Sequence, residues 1–194
     1  MRAEITGVLL AAGFSVRFGA NKLLEEIDGH ALIAHSAAAL SPCDRVIAVV
    51  RADDDVLQSE LHALGVDCVL NPDPGRGMGF SIACGVNATA QSKGWCLLPA
   101  DMPYVMAATT ALLVGALHTG AAMAAPFYQG RRGHPVAFSH SYVDALCVLD
   151  GDSGARSILE QNMAQLTSII TNDAGVLVDI DTAQDLGRTV KNEK

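Results

Sequence analysis

The loop over residues 10–22 carries the side chains best suited to chemistry in this chain. Gly13, Ser15, Arg17 and Lys22 follow one another closely after an apolar run. Small residues let backbone N–H groups approach a phosphate, while arginine and lysine supply positive charge. The spacing therefore predicts a phosphate-binding loop. An ordinary turn with incidental charges is the alternative.

Two familiar phosphate-binding patterns do not occur in this loop. Leu23 follows Lys22, so the sequence is not G-x-x-x-x-G-K-[ST]. It also contains no G-x-G-x-x-G, so a dinucleotide-binding fold has no direct support.

A single carboxylate, Asp101, is the second candidate for chemistry. It follows an apolar run directly and lies between Pro99 and Pro103. A lone carboxylate beside a triphosphate suits Mg²⁺, which prefers oxygen ligands and keeps several waters. The alternative is an aspartate that caps a turn or a helix.

The apolar runs around these residues predict the elements that position them. Strands are expected at 5–11, 46–50, 66–70, 95–98, 121–127, 136–138 and 176–178. Helices are expected at 31–40, 53–64, 80–90, 109–118, 142–149, 153–162 and from 182. Their alternation predicts an α/β fold: a doubly wound, mostly parallel, Rossmann-like sheet with helices on both faces. Because ligands bind beyond the carboxyl ends of the strands in such sheets, the loop and Asp101 should lie at one edge.

The composition limits the classes of function. The 194 residues are 50% hydrophobic and 18% charged, which predicts one folded domain over 1–190 with a frayed tail over 191–194. A net charge of −8 argues against nucleic-acid binding, which needs clustered lysine and arginine. Five cysteines without a C-x-x-C pair are typical of core residues in a reducing compartment. The charged start is not typical of a signal peptide, and polar residues interrupt the apolar stretch 109–127, so we expect a cytoplasmic protein without a membrane span.

The whole segment from Leu10 to Lys22 resembles the L-A-[AG]-G-x-S-x-R-[FM]-G-x-x-K signature of the molybdenum-cofactor nucleotidyltransferases, within the nucleoside triphosphate transferase superfamily. The resemblance implies that the loop backbone and Arg17 hold a triphosphate and that Lys22 neutralises charge at the reacting phosphate. The implied nucleotide-binding residues of the loop are Leu10, Ala11, Ala12, Gly13, Ser15, Arg17 and Lys22.

The resemblance also implies a metal site. Asp101 matches the family's D-x-P motif, whose aspartate binds the metal. A second ligand is expected in 179–186, which resembles N-x-N-T-P-E-D-L with aspartates replacing the asparagines and Ala-Gln replacing Pro-Glu. Asp179 is the preferred second ligand for Mg²⁺, and Asp181 is expected to cap the last helix.

Further matches concern the base. Asn71 and Ser81 lie in a stretch that resembles the family's N-P…G-M-x-x-S-[LI] segment and are implied near the base or ribose. A turn followed by a helix cap is the alternative. Ala12 matches the L-A-A-G of the cytidylyl branch rather than L-A-G-G, and one methyl group discriminates by roughly 1–3 kcal/mol.

The remaining matches concern the acceptor. Residues 130–136 and 151–156 resemble the G-x-x-G-H-P-V and G-D-x-G-A-R segments of the molybdenum cofactor cytidylyltransferases. Arg131, His134 and Arg156 are thereby implied to bind an anionic acceptor. A hairpin turn and a helix N-terminus are the alternative.

The resemblance thus implies a Mg²⁺-dependent enzyme that transfers CMP from CTP to the phosphate of a molybdopterin-type cofactor, with release of pyrophosphate. Catalysis would rest on Lys22, Arg17 and Asp101 through positioning and charge stabilisation. Transient contact with a molybdenum enzyme or its chaperone is also implied. GTP as donor, a sugar phosphate or another phosphate acceptor, and a nucleotide-binding chaperone that transfers nothing are the alternatives.

Overall fold

A computed structural model of the protein describes residues 4–14 and 21–187. The strands and helices follow one another as β1 (Ile5–Leu10), β2 (Glu26–Ile27), β3 (His30–Ala31), α1 (Leu32–Ala39), β4 (Arg45–Arg51), α2 (Asp55–Ala63), β5 (Asp67–Asn71), α3 (Gly77–Ala88), β6 (Gly94–Pro99), α4 (Ala107–His118), β7 (Met123–Tyr128), β8 (Arg131–Arg132), β9 (Val136–Ser139), α5 (Val143–Cys147), α6 (Arg156–Gln161) and β10 (Leu166–Ile170). Short 3-10 turns occur at Lys22–Leu24, Pro74–Arg76, His140–Tyr142, Met163–Gln165, Ala174–Leu177 and Ala183–Gly187.

The main sheet has the strand order β10-β7-β9-β6-β1-β4-β5, with β8 paired to β7. β1 lies inside the sheet and is parallel to both of its neighbours, β4 and β6. β9 runs antiparallel to β6 and β7, and β8 is antiparallel to β7. The expected mostly parallel sheet is therefore confirmed.

Helices pack on both faces of this sheet, because successive side chains of a buried strand point to opposite faces. Leu9 of β1 belongs to a core layer that includes Leu32 of α1. Val8 belongs to the other layer, which includes Ile82 of α3. At Gly85 the helix α3 lies so close that an added Cβ would be 2.7 Å from Val8 Cγ1. The doubly wound α/β fold is confirmed.

The structure corrects several secondary-structure predictions. Segment 176–178 is not a strand, because it overlaps the 3-10 turn Ala174–Leu177 and Val176 is buried in that turn. The last parallel strand is instead β10, an edge strand whose mixed polar and apolar residues gave no clear period. The segment after 182 forms a 3-10 turn rather than an α-helix. The strands β2, β3 and β8 are too short to show a periodicity.

The stretch 109–127 divides into α4 and β7, as predicted. Within residues 4–14 and 21–187, no helix is both long and apolar enough to cross a lipid bilayer. All five cysteines are free thiols: Cys43 and Cys96 are buried, as expected of core residues, and Cys68, Cys84 and Cys147 are half-buried. The tail predicted at 191–194 lies outside the described residues.

Candidate active site

The described residues of the predicted phosphate loop and Asp101 lie at the same edge of the sheet, as the sequence predicted. β1 ends at Leu10 and β6 ends at Pro99, and these two residues are partners in the parallel ladder. The N–H of Ala100 donates to the carbonyl of Leu10 at 3.1 Å. Parallel pairing thus brings the residues that follow both strands to one place.

Lys22 and Asp101 form an ion pair at this edge. Lys22 Nζ donates to Asp101 Oδ2 at 2.8 Å and to the carbonyl oxygen of Ile180, also at 2.8 Å. The N–H of Ile180 in turn donates to the carbonyl of Asp101 at 2.9 Å. Asp181 Oδ1 lies 3.7 Å from the same ammonium. The segment after β6, the loop after β1 and the C-terminal segment therefore meet at one positive charge.

Asp181 was expected to cap the last helix, but in the structure Asp185 binds the backbone N–H groups at this position. Asp185 Oδ2 accepts hydrogen bonds from the N–H of Asp181 at 3.3 Å and the N–H of Thr182 at 2.9 Å. The carboxylate that binds these two backbone N–H groups is thus that of Asp185, and the Asp181 carboxylate faces Lys22.

A cavity of about 360 Å³ opens beside Asp101, and we call it the carboxylate cavity. Asp101 and Asp179 both line it, as do Arg131, Arg132 and His134. Two carboxylates fit Mg²⁺, because this ion is commonly held by one or two protein carboxylates together with substrate phosphates and water. Among the described residues, no group of three or more acidic, histidine or cysteine side chains is close enough to form a metal cage. The residues present therefore fit a cation that a bound triphosphate helps to hold.

Both ends of the described part of the phosphate loop are tied to one buried carboxylate. Asp54, which is 8% exposed, accepts from Asn21 Nδ2 at 2.8 Å and from Arg51 Nη2 at 2.8 Å. Arg51 also donates to the carbonyl of Gly13 at 3.0 Å, and its guanidinium lies 5.3 Å from the ring centroid of Phe14. The Asp54 carboxylate thus holds residues on both sides of 15–20. The predicted phosphate contacts of Ser15 and Arg17 lie outside the described residues.

Ala12 is buried in the core layer on the α3 face of the sheet. It is 3% exposed, whereas Gly13 after it is exposed. The methyl group that distinguishes L-A-A-G from L-A-G-G therefore packs against protein. An effect of this methyl on base choice would act through the position of the loop backbone.

Asn71 and Ser81 lie together, but they contact each other. Asn71 Nδ2 donates to Ser81 Oγ at 2.9 Å, and Asn71 Oδ1 accepts from the N–H of Asp73 at 2.9 Å. Both side chains are buried, at 1% and 6% exposure. The pair holds the loop after β5 against the first turns of α3.

A second cavity, of about 220 Å³, adjoins the first and shares His134 and Arg132 with it. We call it the His134 cavity. Its other lining residues are mostly apolar and include Leu10, Ile82, Pro99 and Val136, while Ser153 and Arg156 are among the polar ones. Arg156 is exposed and pairs with Glu160 at 2.7 Å. The cavity therefore has an apolar body with cationic groups around it.

His134 is an unusual member of this wall. Its Nδ1 is buried and finds no hydrogen-bond partner among the described residues. Burial lowers the pKa of His134 below the ordinary value of 6.5, and the nearby Arg132 cation lowers it further, against an opposing effect of Asp101. A buried polar atom without a partner costs about 1–3 kcal/mol. A ligand that supplies the missing partner would recover part of that energy.

The loop before α3 and the segment 150–154 are locked together. Arg76 forms a two-bond ion pair with Asp150, at 3.2 and 2.8 Å, and its guanidinium stacks 3.8 Å from the ring centroid of Phe80. Hydrogen bonding to this arginine lowers the pKa of the Asp150 carboxyl below its ordinary value. The N–H of Gly79 donates to the carbonyl of Gly151 at 2.7 Å. The loop expected near the base and the segment expected near the acceptor are therefore joined by side-chain and backbone hydrogen bonds.

The MobA-like NTP transferase domain family matches this chain over residues 7–166. The chain belongs to this family. It is similar to the purine catabolism protein PucB of Bacillus subtilis (strain 168), at 27% identity over 197 residues that cover 93% of each chain.

Solved structures show the same fold. Rv0371c from Mycobacterium tuberculosis H37Rv has a TM-score of 0.82 and 24% identity, covering 94% of this chain and 95% of the other. A complex of Rv0371c with manganese has a TM-score of 0.77 and 23% identity, covering 94% and 95%. A nucleotidyl transferase from Methanothermobacter thermautotroptrophicus has a TM-score of 0.80 and 22% identity, covering 94% of both chains. The MobA-like domain is thus a nucleotidyltransferase domain with the fold of these proteins.

Sequence reasoning missed several residues of the site in this MobA-like domain. Arg132 lines both cavities, whereas the predicted Arg131 lines the carboxylate cavity and is exposed. The side chains of Arg131 and Arg132 point to opposite sides, because the two residues are consecutive in the short strand β8. Arg51 and Asp54 were also missed, although Arg51 directly follows the apolar run of β4. A charged residue at the carboxyl end of a strand adjacent to β1 was the available signal.

Proposed function

We propose that this MobA-like protein transfers CMP from CTP to the phosphate of a molybdopterin-type cofactor and releases pyrophosphate. The observation that carries the proposal is the meeting of Lys22 and Asp101 at the carboxyl ends of β1 and β6, beside cavities with basic side chains. An anionic donor and an anionic acceptor both need such local positive charge in a chain whose net charge is −8.

The reaction needs positioning and charge neutralisation more than a protein nucleophile. An oxygen of the acceptor phosphate attacks the α-phosphorus of CTP, the bond to the bridging oxygen breaks, and pyrophosphate leaves with that electron pair. The acceptor is already anionic at neutral pH, so no general base is required. Lys22 moves one or more of its N–H donors from Asp101 and Ile180 to the phosphates. Arg17 is proposed to bind the triphosphate, because it matches the arginine of the family signature.

Asp101 and Asp179 are the residues proposed to hold Mg²⁺. When bound, the ion supplies positive charge that stabilises the phosphates during transfer. Asp101 remains oriented because its backbone carbonyl accepts from the N–H of Ile180. The solved complex of Rv0371c with manganese supports a divalent cation as the metal class to test.

CTP is proposed as the donor because Ala12 follows the L-A-A-G pattern of the cytidylyl branch. The acceptor is proposed from the match of 130–136 and 151–156 to the cytidylyltransferase segments. Residues of 130–136 border both cavities, and residues of 151–156 border the His134 cavity. The similarity to PucB, a purine catabolism protein, adds a purine nucleotide to the acceptors worth testing.

Product analysis tests the proposal directly. The protein is incubated with Mg²⁺, equal CTP and GTP, and molybdenum cofactor, and the products are identified by mass spectrometry. We expect a cytidine adduct and pyrophosphate, both lost in Lys22→Ala and Asp101→Ala. Lys93→Ala, at the opposite end of β6, is the matched control and should retain turnover.

Other outcomes would replace the proposal with a named alternative. A guanosine adduct would change the donor, and pyrophosphate release only with a sugar phosphate or purine nucleotide would change the acceptor. Tight CTP binding without pyrophosphate release under any acceptor would indicate a nucleotide-binding chaperone.

A further inference from the structure

The buried carboxylate of Asp173 lies between the two chain segments that carry the proposed metal ligands. It is 2% exposed. Its Oδ2 accepts from the N–H of Met106 at 2.9 Å, and its Oδ1 accepts from the N–H of Gly175 at 3.0 Å. Met106 ends the segment that begins at Asp101, and Gly175 begins the segment that leads to Asp179. One side chain therefore bonds to the backbone of both segments.

The same two segments are in close backbone contact near this carboxylate. A Cβ added to Gly175 would meet the carbonyl oxygen of Tyr104, so a larger residue would push the segments apart. Further along, the N–H of Ile180 donates to the carbonyl of Asp101 at 2.9 Å. The residues between Gly175 and Ile180 are thus anchored at both ends, and Asp179 is one of them.

Asp173 is itself held by the sheet and by α4. Thr109 Oγ1, in α4, donates to Asp173 Oδ2 at 2.7 Å. The N–H of Asp173 donates to Thr171 Oγ1 at 3.1 Å, and the N–H of Thr171 donates to the carbonyl of Phe127 in β7 at 3.0 Å. The carboxylate therefore has a fixed position relative to the main elements of the fold. From this position it fixes the two segments that border the carboxylate cavity.

We propose that Asp173 is a positioning residue for the metal site: through Met106 and Gly175 it sets the separation of the Asp101 and Asp179 carboxylates. The inference rests on the proposed role of these two carboxylates in holding Mg²⁺. This ion demands near-ideal geometry of its oxygen ligands, so a shift of one segment against the other lowers its affinity. Residues that orient metal ligands without touching the metal contribute about 10–100-fold to metal affinity.

Asp173→Asn removes one of the two backbone contacts and keeps the size of the side chain. An asparagine side chain has one acceptor oxygen and an NH₂ group that only donates. In either orientation, the NH₂ group faces the N–H of Met106 or that of Gly175. Thr109→Val is the matched control, because it removes a hydrogen bond to the same carboxylate and leaves both backbone contacts. If Asp173 only stabilised the fold, the two variants would have the same metal affinity.

Met106→Pro tests the same contact from the other side. Proline has no N–H, and the φ of −81° at Met106 is compatible with its ring. The Met106 side chain is 42% exposed, so its loss opens no cavity in the core. Met106→Ala is the matched control, since it shortens the same side chain and keeps the N–H. Because Asp173 is unchanged here, this test does not depend on the folding of Asp173→Asn.

Binding of Mn²⁺ without nucleotide, followed by electron paramagnetic resonance of the free ion, tests the inference. Mn²⁺ takes the same oxygen ligands as Mg²⁺. We expect the Kd to rise about tenfold in Asp173→Asn and in Met106→Pro. Thr109→Val and Met106→Ala should bind as the wild type does, and Asp101→Ala should lose binding. Melting temperatures in metal-free buffer should fall for both Asp173→Asn and Thr109→Val, which separates metal affinity from stability.

An unchanged Kd in Asp173→Asn or in Met106→Pro would overturn the inference, and so would an equal loss of affinity in its matched control. A wild type that does not bind Mn²⁺, or binding that Asp101→Ala leaves intact, would remove the metal site and the positioning role together. Failure of the proposed function is distinguishable from these results. The expected Mn²⁺ pattern without a cytidine adduct removes the transfer reaction and leaves the positioning role. A cytidine adduct with unchanged Kd values removes the positioning role and leaves the reaction.

Discussion

Asp54 connects the two ends of the phosphate loop, and its removal should weaken both fold and nucleotide binding. Its carboxylate accepts from Asn21 Nδ2 at 2.8 Å, Arg51 Nη2 at 2.8 Å and the N–H of Leu57 at 3.3 Å. Asn21 follows 15–20, and Arg51 contacts the carbonyl of Gly13 before it. Asp54→Ala therefore removes the hydrogen-bond acceptor of Asn21 and of Arg51, together with the N-cap of α2.

The size of the effect follows from these three bonds. Loss of an N-cap costs about 0.5–2 kcal/mol, and loss of a hydrogen bond to a charged group costs about 1.5–3 kcal/mol. The contributions do not add fully, since Arg51 keeps its contacts with Gly13 and with Asp53. We expect the free energy of unfolding to fall by about 2–4 kcal/mol. The KM for the nucleotide should rise about tenfold, because binding depends on correctly placed loop groups.

Urea unfolding followed by circular dichroism measures the first quantity, and pyrophosphate release against CTP concentration measures the second. Asp53→Ala is the matched control: its side chain is 83% exposed and pairs with the same Arg51 at 3.2 Å. An exposed pair of this kind contributes about 0–1 kcal/mol. If Asp54→Ala and Asp53→Ala gave equal stability and equal KM, the bridging role of Asp54 would be refuted.

Three further predictions concern the rest of the site. Lys22→Ala should lower kcat by about 10²–10³ while far-UV circular dichroism stays unchanged, and near-normal kcat would contradict its role at the reacting phosphate. Gly79→Ala should destabilise by about 1–3 kcal/mol, because its Cβ would lie 2.6 Å from the carbonyl oxygen of Asp150. Gly115→Ala, with open space around it, should instead stabilise α4 by about 0.5–1 kcal/mol. Equal urea midpoints for Gly79→Ala and Gly115→Ala would argue against the close packing of Gly79 on Asp150. The pKa of His134 is lower in the folded chain than in the unfolded chain, so the unfolded chain binds the proton first as the pH falls. Neutral His134 therefore makes its full contribution to stability above pH 6.5, and this contribution is lost as the pH falls through the pKa of the folded chain. Urea midpoints of His134→Phe should therefore fall less than those of the wild type between about pH 8 and pH 5, and parallel curves would contradict this.

Much of the fold could be predicted because buried parallel strands are encoded as continuous apolar runs. The runs that became β1, β4 and β6 were visible as such, and their order with the intervening helices implied a doubly wound sheet. The proximity of the phosphate loop and Asp101 followed from that, since each comes directly after a strand. The failures came where the pattern was short or mixed, as at 176–178 and in β10.

The doubly wound α/β architecture and the meeting of Lys22 with Asp101 were thus determined by sequence alone, through local apolar patterning and a rule of sheet topology. Only the tertiary structure showed the other contacts of the site. Lys22 contacts Ile180 across 158 positions, and Asn21 contacts Asp54 across 33. The unpartnered nitrogen of His134 is likewise a property of its surroundings. Such contacts depend on how distant segments pack. The type of a residue and its neighbours in sequence do not show which residues will contact it in the folded chain.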